Sequence, residues 1–317
     1  MNNTICSRFV KAVGLSEEHR DNLVSVRCLS PAFIEGRFAS GTPERVQRAL
    51  QQLLESGCTD TELHQARLTD EVGRPQGYLV DGRILIGYIN EAGDVFQVRA
   101  HKMGPKDAQL EIYGRECLAN RPEMVVLCEG EFKAAALLSR NVPAIAVPGI
   151  SSFIGENYER LLKHLRDAGV KTMRVCFDNE DKVTPTLPSG EKNTRYKPSP
   201  HNRYDTQKCA LVMARRVTGD GIPTTIAWLP DNWRDATGKV DVDSAFKDGH
   251  TLDEINQVFA RAVESDAFLA AQTEEARQVI QHHLRIPPKA ISKIGARRSP
   301  RSGHCDRSEA TLAVPRF

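Results

Sequence analysis

The chain has 317 residues, enough for one large or two ordinary domains, each with a core of its own. The formal net charge is only +2 at pH 7 although 26% of the residues are charged, so a surface for a polyanion must come from local basic patches. The eight cysteines are scattered singly, without a zinc-type spacing, and no apolar run reaches the roughly 18 residues of a membrane span. These features argue against structural zinc and a membrane partner, and they favour buried thiols in a reducing, cytoplasmic setting.

The first part of the chain is predicted to be helical. Ser16-Glu17-Glu18 is typical of the start of one helix, and Thr42-Pro43-Glu44 of the start of another. Gly57 is a suitable stop for the second helix. Two β-rich runs follow at residues 83–89 and 95–99 with hairpin punctuation between them, which predicts a small antiparallel sheet.

From residue 124 the pattern alternates between strand and helix. Such alternation implies parallel strands in an α/β sheet. The predicted strands are 124–128, 143–147, 173–177 and 223–229, and the predicted helices between them are 132–140, 158–167 and 205–217. Residues 184–203, rich in Pro, Ser, Gly, Lys and Arg, are predicted to form an inserted surface loop.

Three acidic clusters each follow a predicted strand of this sheet: Glu129-Gly130-Glu131, Asp178-Asn179-Glu180-Asp181 and Asp241-Val242-Asp243. The carboxyl ends of parallel strands share one edge, where open α/β sheets bind ligands. Several hard oxygen donors at one point suit Mg²⁺, with Mn²⁺ as a substitute. The chemistry that suits such an ion is phosphoryl transfer or phosphodiester cleavage.

Each motif also has a plain structural explanation. An isolated acidic pair in such a loop is usually a helix cap or a solvated turn. Lys133, one turn into the helix after Gly130, is either a phosphate contact or an exposed helix residue. Arg99, His101 and Lys102 form either a basic strip for a polyanion or a solvated strand edge.

Taken together, these segments resemble the Toprim domain of primases and topoisomerases. Residues 125–134 are similar to the family's Glu-Gly motif, residues 175–180 to its Asp-x-Asp motif, and residues 241–243 to the Asp-Pro-Asp motif of bacterial replicative primases. Upstream, residues 82–99 are similar to the strand pair of the primase core, and Ile112-Tyr113-Gly114-Arg115 to the motif that leads into its first Toprim strand. The segment Glu-Gly-Glu-Phe-Lys-Ala is most similar to the corresponding segment of primase-like proteins of phages, plasmids and other mobile elements.

The resemblance implies an α/β fold, in which a Toprim domain with a mostly parallel four-stranded sheet flanked by helices follows a small α+β primase-core subdomain and a helical region. It also implies roles for single residues. The catalytic residues would be Glu129, Asp178 and Lys133. The metal ligands would be Glu129, Asp178, Glu180, Asp241 and Asp243, with Glu180 standing where the family has aspartate and Asp181 as a substitute. Nucleic acid or nucleotide would contact Arg83, Arg99, His101, Lys102 and Gly130.

The implied function is a magnesium-dependent primase-like nucleotidyltransferase that uses single-stranded DNA and nucleoside triphosphates in replication of a mobile element. The alternatives are a Toprim metal-dependent DNA nuclease and a non-catalytic nucleic-acid-binding replication subunit. A topoisomerase is disfavoured, because none of the six tyrosines is evident as a nucleophile on a separate large domain. With no cysteine cluster and no Walker A loop in the sequence, a separate helicase or template-recognition protein is expected as a partner.

The chain is therefore predicted to divide into five parts. They are a helical region (1–70), a primase-core-like subdomain (71–120), a Toprim domain (121–252), a helical segment (253–285) and a basic, disordered tail (286–317).

Overall fold

The first third of the chain builds helices around a three-stranded antiparallel sheet in the order β1-β2-β3. Its elements are α1 (Ile5–Val13), α2 (Glu17–Asp21), a π-helix (Asn22–Val26), α3 (Pro31–Ile34), β1 (Phe38–Ser40), α4 (Pro43–Glu55), α5 (Asp60–Gln65), β2 (Ile84–Ile89) and β3 (Val95–Ala100). In this computed structural model the described residues are 4–101, 103–104, 110–149, 155–180 and 204–285. The predicted loop at 184–203 and the predicted tail lie outside them.

The two predicted helix starts are confirmed. The side chain of Ser16 accepts a hydrogen bond from the backbone of His19 at the start of α2, and Pro43 is the first residue of α4. The prediction of a purely helical region up to residue 70 is wrong in one respect, because β1 lies within it and pairs with β2. Three residues are too few to show a strand period in the sequence.

The rest of the chain forms an α/β layer with helices on its sheet. Its elements are β4 (Met124–Glu129), α6 (Glu131–Leu138), β5 (Ala144–Val147), α7 (Glu156–Asp167), β6 (Thr172–Cys176), β7 (Asn179–Glu180), α8 (Asp205–Gly219), β8 (Thr224–Ile226), β9 (Lys239–Val240), α9 (Val242–Lys247), α10 (Leu252–Ala260), α11 (Ser265–Ala271) and α12 (Glu274–Arg285). As predicted, the main sheet has four parallel strands; their order in the sheet is β5-β4-β6-β8. Because β4 and β6 are neighbours at its centre, their carboxyl ends lie side by side.

A separate pair of very short strands completes this edge. Strands β7 and β9 run antiparallel, with Asn179 opposite Val240 and Glu180 opposite Lys239. The third acidic motif therefore reaches the edge by this ladder, whereas the sequence suggested that it simply follows the fourth strand of the main sheet. Among the described residues no helix has both the length and the apolar content needed to cross a bilayer.

The antiparallel sheet is buried on both faces, which joins the two parts of the molecule. On one face of β2, Leu85 packs in a hydrophobic cluster with residues of α1 and α4. On the other face, Ile86 and Tyr88 belong to a second cluster that includes Phe132 of α6 and the α/β core. The helical region thus shares a core with the strand pair, and where the chain divides into independently folding domains stays a prediction.

The segment around Gly114 packs against strand β5, and substitution of this glycine tests that packing. Tyr113 bridges to Ala146 on the edge strand β5, and Gly114 has a φ of +85°; a β-carbon at Gly114 would clash with the carbonyl oxygen of Ala144. Gly169 has a φ of +71° but open space around it. We expect Gly114→Ala to lower the free energy of unfolding by at least about 2 kcal/mol more than Gly169→Ala, since both bear the left-handed strain but only the first meets backbone. Equal costs in urea unfolding would contradict this packing.

Candidate functional site

Five charged side chains meet at the carboxyl edge of the parallel sheet. We call Asp178, Glu180 and Asp241 the acidic cluster, and Lys133 and Lys239 the lysine pair. Nζ of Lys239 lies 2.7 Å from Oδ2 of Asp178, 3.0 Å from Oδ2 of Asp241 and 3.5 Å from Oε1 of Glu180. Nζ of Lys133 lies 3.2 Å and 3.7 Å from the same Asp178 and Asp241 oxygens. The second and third acidic motifs are therefore brought together, and two ammonium groups lie between them, one of them from the helix that follows the first motif.

The turn after β4 places Lys133 and Glu129. Glu129 ends the strand, and Gly130 then adopts a φ of +91°, which favours glycine. Helix α6 begins at the next residue, so Lys133 lies in its first turn and points back over Gly130, 3.7 Å from where a β-carbon would stand. The turn thus brings a cation from a helix to the carboxylates at the strand ends.

Backbone and side-chain hydrogen bonds fix the acidic cluster from the other side. The buried side chain of Asn179 donates to the carbonyl oxygen of Leu229 at 2.7 Å and accepts from Arg234 at 2.7 Å, which holds the segment that carries Asp178 and Glu180. Asp241 caps α9, where its Oδ1 accepts from the backbone of Ser244 at 3.0 Å. Its Oδ2 is left to face the lysine pair.

The lysine pair is enclosed and charged. The side chains of Lys133 and Lys239 are only 17% and 12% exposed. Burial alone would lower the pKa of Lys133, but the negative charges of Asp178, Asp241 and Glu129 raise it well above its usual value. The pKa of Lys239 is likewise raised by the acidic cluster, against burial and the charge of Lys133. Both side chains are therefore ammonium ions at neutral pH.

Glu129 differs from the other carboxyls. Burial, together with the charge of Asp178, raises its pKa to about 7. A carboxyl that titrates near neutral pH beside these charged side chains can accept and return a proton there. This is the property that a general base at the end of β4 requires.

Asp243 lies behind the acidic cluster and contacts other partners. Its Oδ2 accepts from Arg27 at 2.6 Å, and its side chain is hydrogen-bonded to that of Asp241. Burial and the charge of Asp241 raise the pKa of Asp243 to about 7. Asp241 is also buried, but the charge of Lys133 and the hydrogen bond from Asp243 outweigh its burial and keep the pKa of Asp241 well below its usual value. The opposite shifts of the two pKa values mean that the pair shares one proton, which is held on Asp243.

The site does not fit a bound metal ion in this arrangement. Its donors are hard oxygens, as Mg²⁺ prefers, but Nζ of Lys239 fills the point where three carboxylates meet. Within the part of the chain that the structure describes, no three or more His, Cys, Asp or Glu side chains are grouped so that they could hold a metal.

A cavity of about 530 Å³ lies between the π-helix, β2 and the start of α6. Arg83, His101 and Arg27 line it, together with the ring of Phe132. The guanidinium of Arg27 lies 4.6 Å from the centre of that ring, and the His101 ring 4.7 Å from it. Two predicted nucleic-acid contacts, Arg83 and His101, therefore share one concave surface.

Arg99 does not have the exposure that either a basic strip or a solvated strand edge would give it. This side chain is only 8% exposed, and its guanidinium lies 5.9 Å from the ring centre of Tyr88 and against Gly104. Both faces of the sheet are covered, so a charge on β3 does not face water. Lys102 lies outside the described residues, and its predicted role stays a prediction.

Two residues of this site, Lys239 and Arg27, were not predicted from the sequence. Lys239 stands two positions before Asp241, and alternation along an extended segment places both side chains on one face. That spacing was a usable signal. Arg27 gives none, because its partner Asp243 is 216 residues away in the chain.

Comparisons with known proteins support the fold and leave the family open. A family model described as a domain of unknown function (DUF3854) matches residues 116–189. A search of curated proteins found no match. The fold is similar to an Aquifex aeolicus primase structure with zinc-binding and RNA polymerase domains, at a TM-score of 0.59 and 14% identity, over 92% of this chain and 66% of that one.

Two further structures come from Mycobacterium tuberculosis. The RNA polymerase domain of its primase DnaG matches at a TM-score of 0.55 and 14% identity, over 92% of this chain and 88% of that one. The same domain with double-stranded DNA matches at 0.56 and 15%, over 94% and 93%. The chain therefore has a mixed α/β fold similar to the RNA polymerase domain of bacterial DnaG primases, which confirms the expected likeness at the level of the fold.

The carboxyl pair predicts a pH-dependent stability. Because the folded pKa of Asp243 is raised to about 7, its contribution to stability is complete below about pH 4 and is lost as the pH rises towards 7. Asp243→Asn cannot ionise and keeps a donor for Asp241. In urea titrations, the free energy of unfolding of the wild type is expected to decrease from pH 4 to pH 7. In Asp243→Asn we expect this decrease to be smaller by at least about 1 kcal/mol. The exposed control Asp253→Asn is expected to follow the wild type. The same change of the free energy of unfolding with pH in all three proteins would contradict a proton shared by Asp241 and Asp243.

Proposed function

We propose that the chain is a primase-like nucleotidyltransferase core that acts on single-stranded DNA in the replication of a mobile genetic element, and that residues 121–252 are a Toprim-type domain. One observation carries the proposal: Glu129, the acidic cluster and the lysine pair converge at the carboxyl edge of a parallel sheet. The similarity of the fold to primase RNA polymerase domains supports the same choice.

The site offers the groups that nucleotidyl transfer needs. Transfer places negative charge on the phosphate being attacked and on the departing pyrophosphate, and ammonium groups in a partly dry cleft stabilise such charge. Lys133 and Lys239 are ammonium groups of this kind. The attacking hydroxyl must lose a proton, and Glu129, with its pKa raised to about 7 by burial and Asp178, is placed to accept it.

The cavity between the π-helix, β2 and α6 offers room for a nucleotide or a template base. Its volume of about 530 Å³ lies within the range of small-ligand sites. The Phe132 ring provides a face for stacking, and Arg83 and His101 provide donors for phosphate. The DnaG domain from Mycobacterium tuberculosis has been solved with double-stranded DNA, including an oligomer with a 6-nucleotide overhang, which supports DNA as the partner proposed here.

The expected dependence on Mg²⁺ stays a prediction, and the acidic cluster in its present arrangement does not provide the site for the ion. When bound, such an ion would neutralise charge on the attacking and leaving oxygens. Since the lysine pair fills the meeting point of the carboxylates, we assign the ion no step. A separate helicase or template-recognition protein and nucleoside triphosphates are the further partners that we propose.

A second candidate is a non-catalytic DNA-binding subunit. The lysine pair favours it, because the carboxylates are already neutralised by the chain's own cations. Such a subunit would bind DNA in a salt-sensitive way that does not depend on Asp178.

The two candidates differ in one assay. Purified protein is incubated with single-stranded template, labelled ribo- or deoxyribonucleotides, and Mg²⁺ or Mn²⁺. We expect an oligonucleotide product that falls by about 100-fold or more in Asp178→Asn, because this variant keeps the shape but loses a charge at the transfer centre. Lys163→Met, which removes a 70% exposed lysine on α7, is the matched control and is expected to retain activity.

The other outcomes identify the alternatives. Absence of product in the wild type, with DNA binding unchanged in Asp178→Asn, would support the binding subunit. Metal-dependent nicking of DNA that disappears in Glu129→Gln would support a nuclease.

A further inference from the structure

The two lysines of the pair bind the same carboxylate oxygens. Oδ2 of Asp178 and Oδ2 of Asp241 each face Nζ of both Lys133 and Lys239, at distances from 2.7 to 3.7 Å. Nζ of Lys239 also faces Glu180 at 3.5 Å. One nitrogen thus contacts three carboxylates from two different segments, in the way that a bound cation would.

The lysine pair is held in place by its backbone. Lys239 stands in β9, directly opposite Glu180 of β7, so the ladder fixes the distance between them. Lys133 stands in the first turn of α6. Their side chains are 12% and 17% exposed, whereas the surface lysine Lys163 is 70% exposed. These two side chains therefore have little freedom to leave the acidic cluster for water.

A divalent ion and the lysine pair cannot use this point together. An ion such as Mg²⁺ or Mn²⁺ requires carboxylate oxygens at about 2.0–2.2 Å, in the volume that Nζ of Lys239 occupies. Two ammonium charges a few ångströms away would also repel the ion in a poorly hydrated cleft. The acidic cluster in turn needs positive charge, since buried carboxylates repel one another.

We propose that Lys133 and Lys239 are the resident cations of the acidic cluster, so that the chain holds Asp178, Glu180 and Asp241 together without a divalent ion and binds one only weakly. Loss of Lys239 uncovers a divalent-cation site on these carboxylates. The inference concerns the cation and does not require that the chain synthesise primers.

The test is Mn²⁺ binding to the full chain without nucleotide, measured from the electron paramagnetic resonance signal of free Mn²⁺. We expect weak binding by the wild type and binding at least about tenfold tighter in Lys239→Met, because one positive charge and one occupied volume are removed. Lys239→Arg keeps the charge and is expected to stay weak. The double variant Lys239→Met with Asp178→Asn is expected to lose the new site, and Lys163→Met to match the wild type.

Thermal unfolding provides a second readout. Lys239→Met without metal is expected to melt at a lower temperature than the wild type, and Mn²⁺ is expected to raise its melting temperature more than it raises that of the wild type. If Lys239→Met does not fold, Lys133→Met on α6 serves in its place and is expected to show the same two changes. Tight Mn²⁺ binding by the wild type, with affinity unchanged or weakened in Lys239→Met and Lys133→Met, would overturn the proposal.

Discussion

The ion pairs between the lysine pair and the acidic cluster are the constraint on which the rest of the site depends. Carboxylates that converge in a poorly hydrated cleft need a counter-charge, and an unpaired buried charge costs several kcal/mol. Local features around the edge serve this pairing. Gly130 permits the turn that brings Lys133 from α6, the β7–β9 ladder sets Lys239 opposite Glu180, and the cap of α9 turns Oδ2 of Asp241 towards both lysines.

The same edge is joined to the N-terminal part of the molecule. Arg27 follows the π-helix and binds Asp243 behind the acidic cluster, while its guanidinium covers the ring of Phe132. One residue thus contacts both the carboxyl pair and the wall of the cavity. Because π-helical turns are costly and often found at functional sites, the turn over Asn22–Val26 is consistent with a role for this cavity in binding.

Two kinds of feature could be predicted from the sequence: elements whose hydrophobic residues recur with a helix or strand period, and polar residues that directly follow such an element. Alternating strands and helices give the parallel sheet, and an acidic residue directly after an apolar strand marks its carboxyl edge, as for Glu129 and Asp178. Strands β1 and β9 are too short to show a period. Arg99 was misjudged because the antiparallel sheet is covered on both faces, and a charged residue on a strand normally indicates the solvent side. The spacing of Lys239 two positions before Asp241 places both on one face, but its contacts with Asp178 and Glu180 depend on the pairing of β7 with β9 and needed the structure.

The decisive measurement of whether lysine or metal occupies the acidic cluster is a crystal structure of the chain grown with Mn²⁺, with anomalous scattering recorded at the manganese edge. We expect Nζ of Lys239 within hydrogen-bond distance of Asp178 and Asp241 and no manganese peak between them. A manganese peak that bridges these two carboxylates in the wild-type chain, with Lys239 turned away from them, would contradict the assignment of the lysine pair as the resident cations.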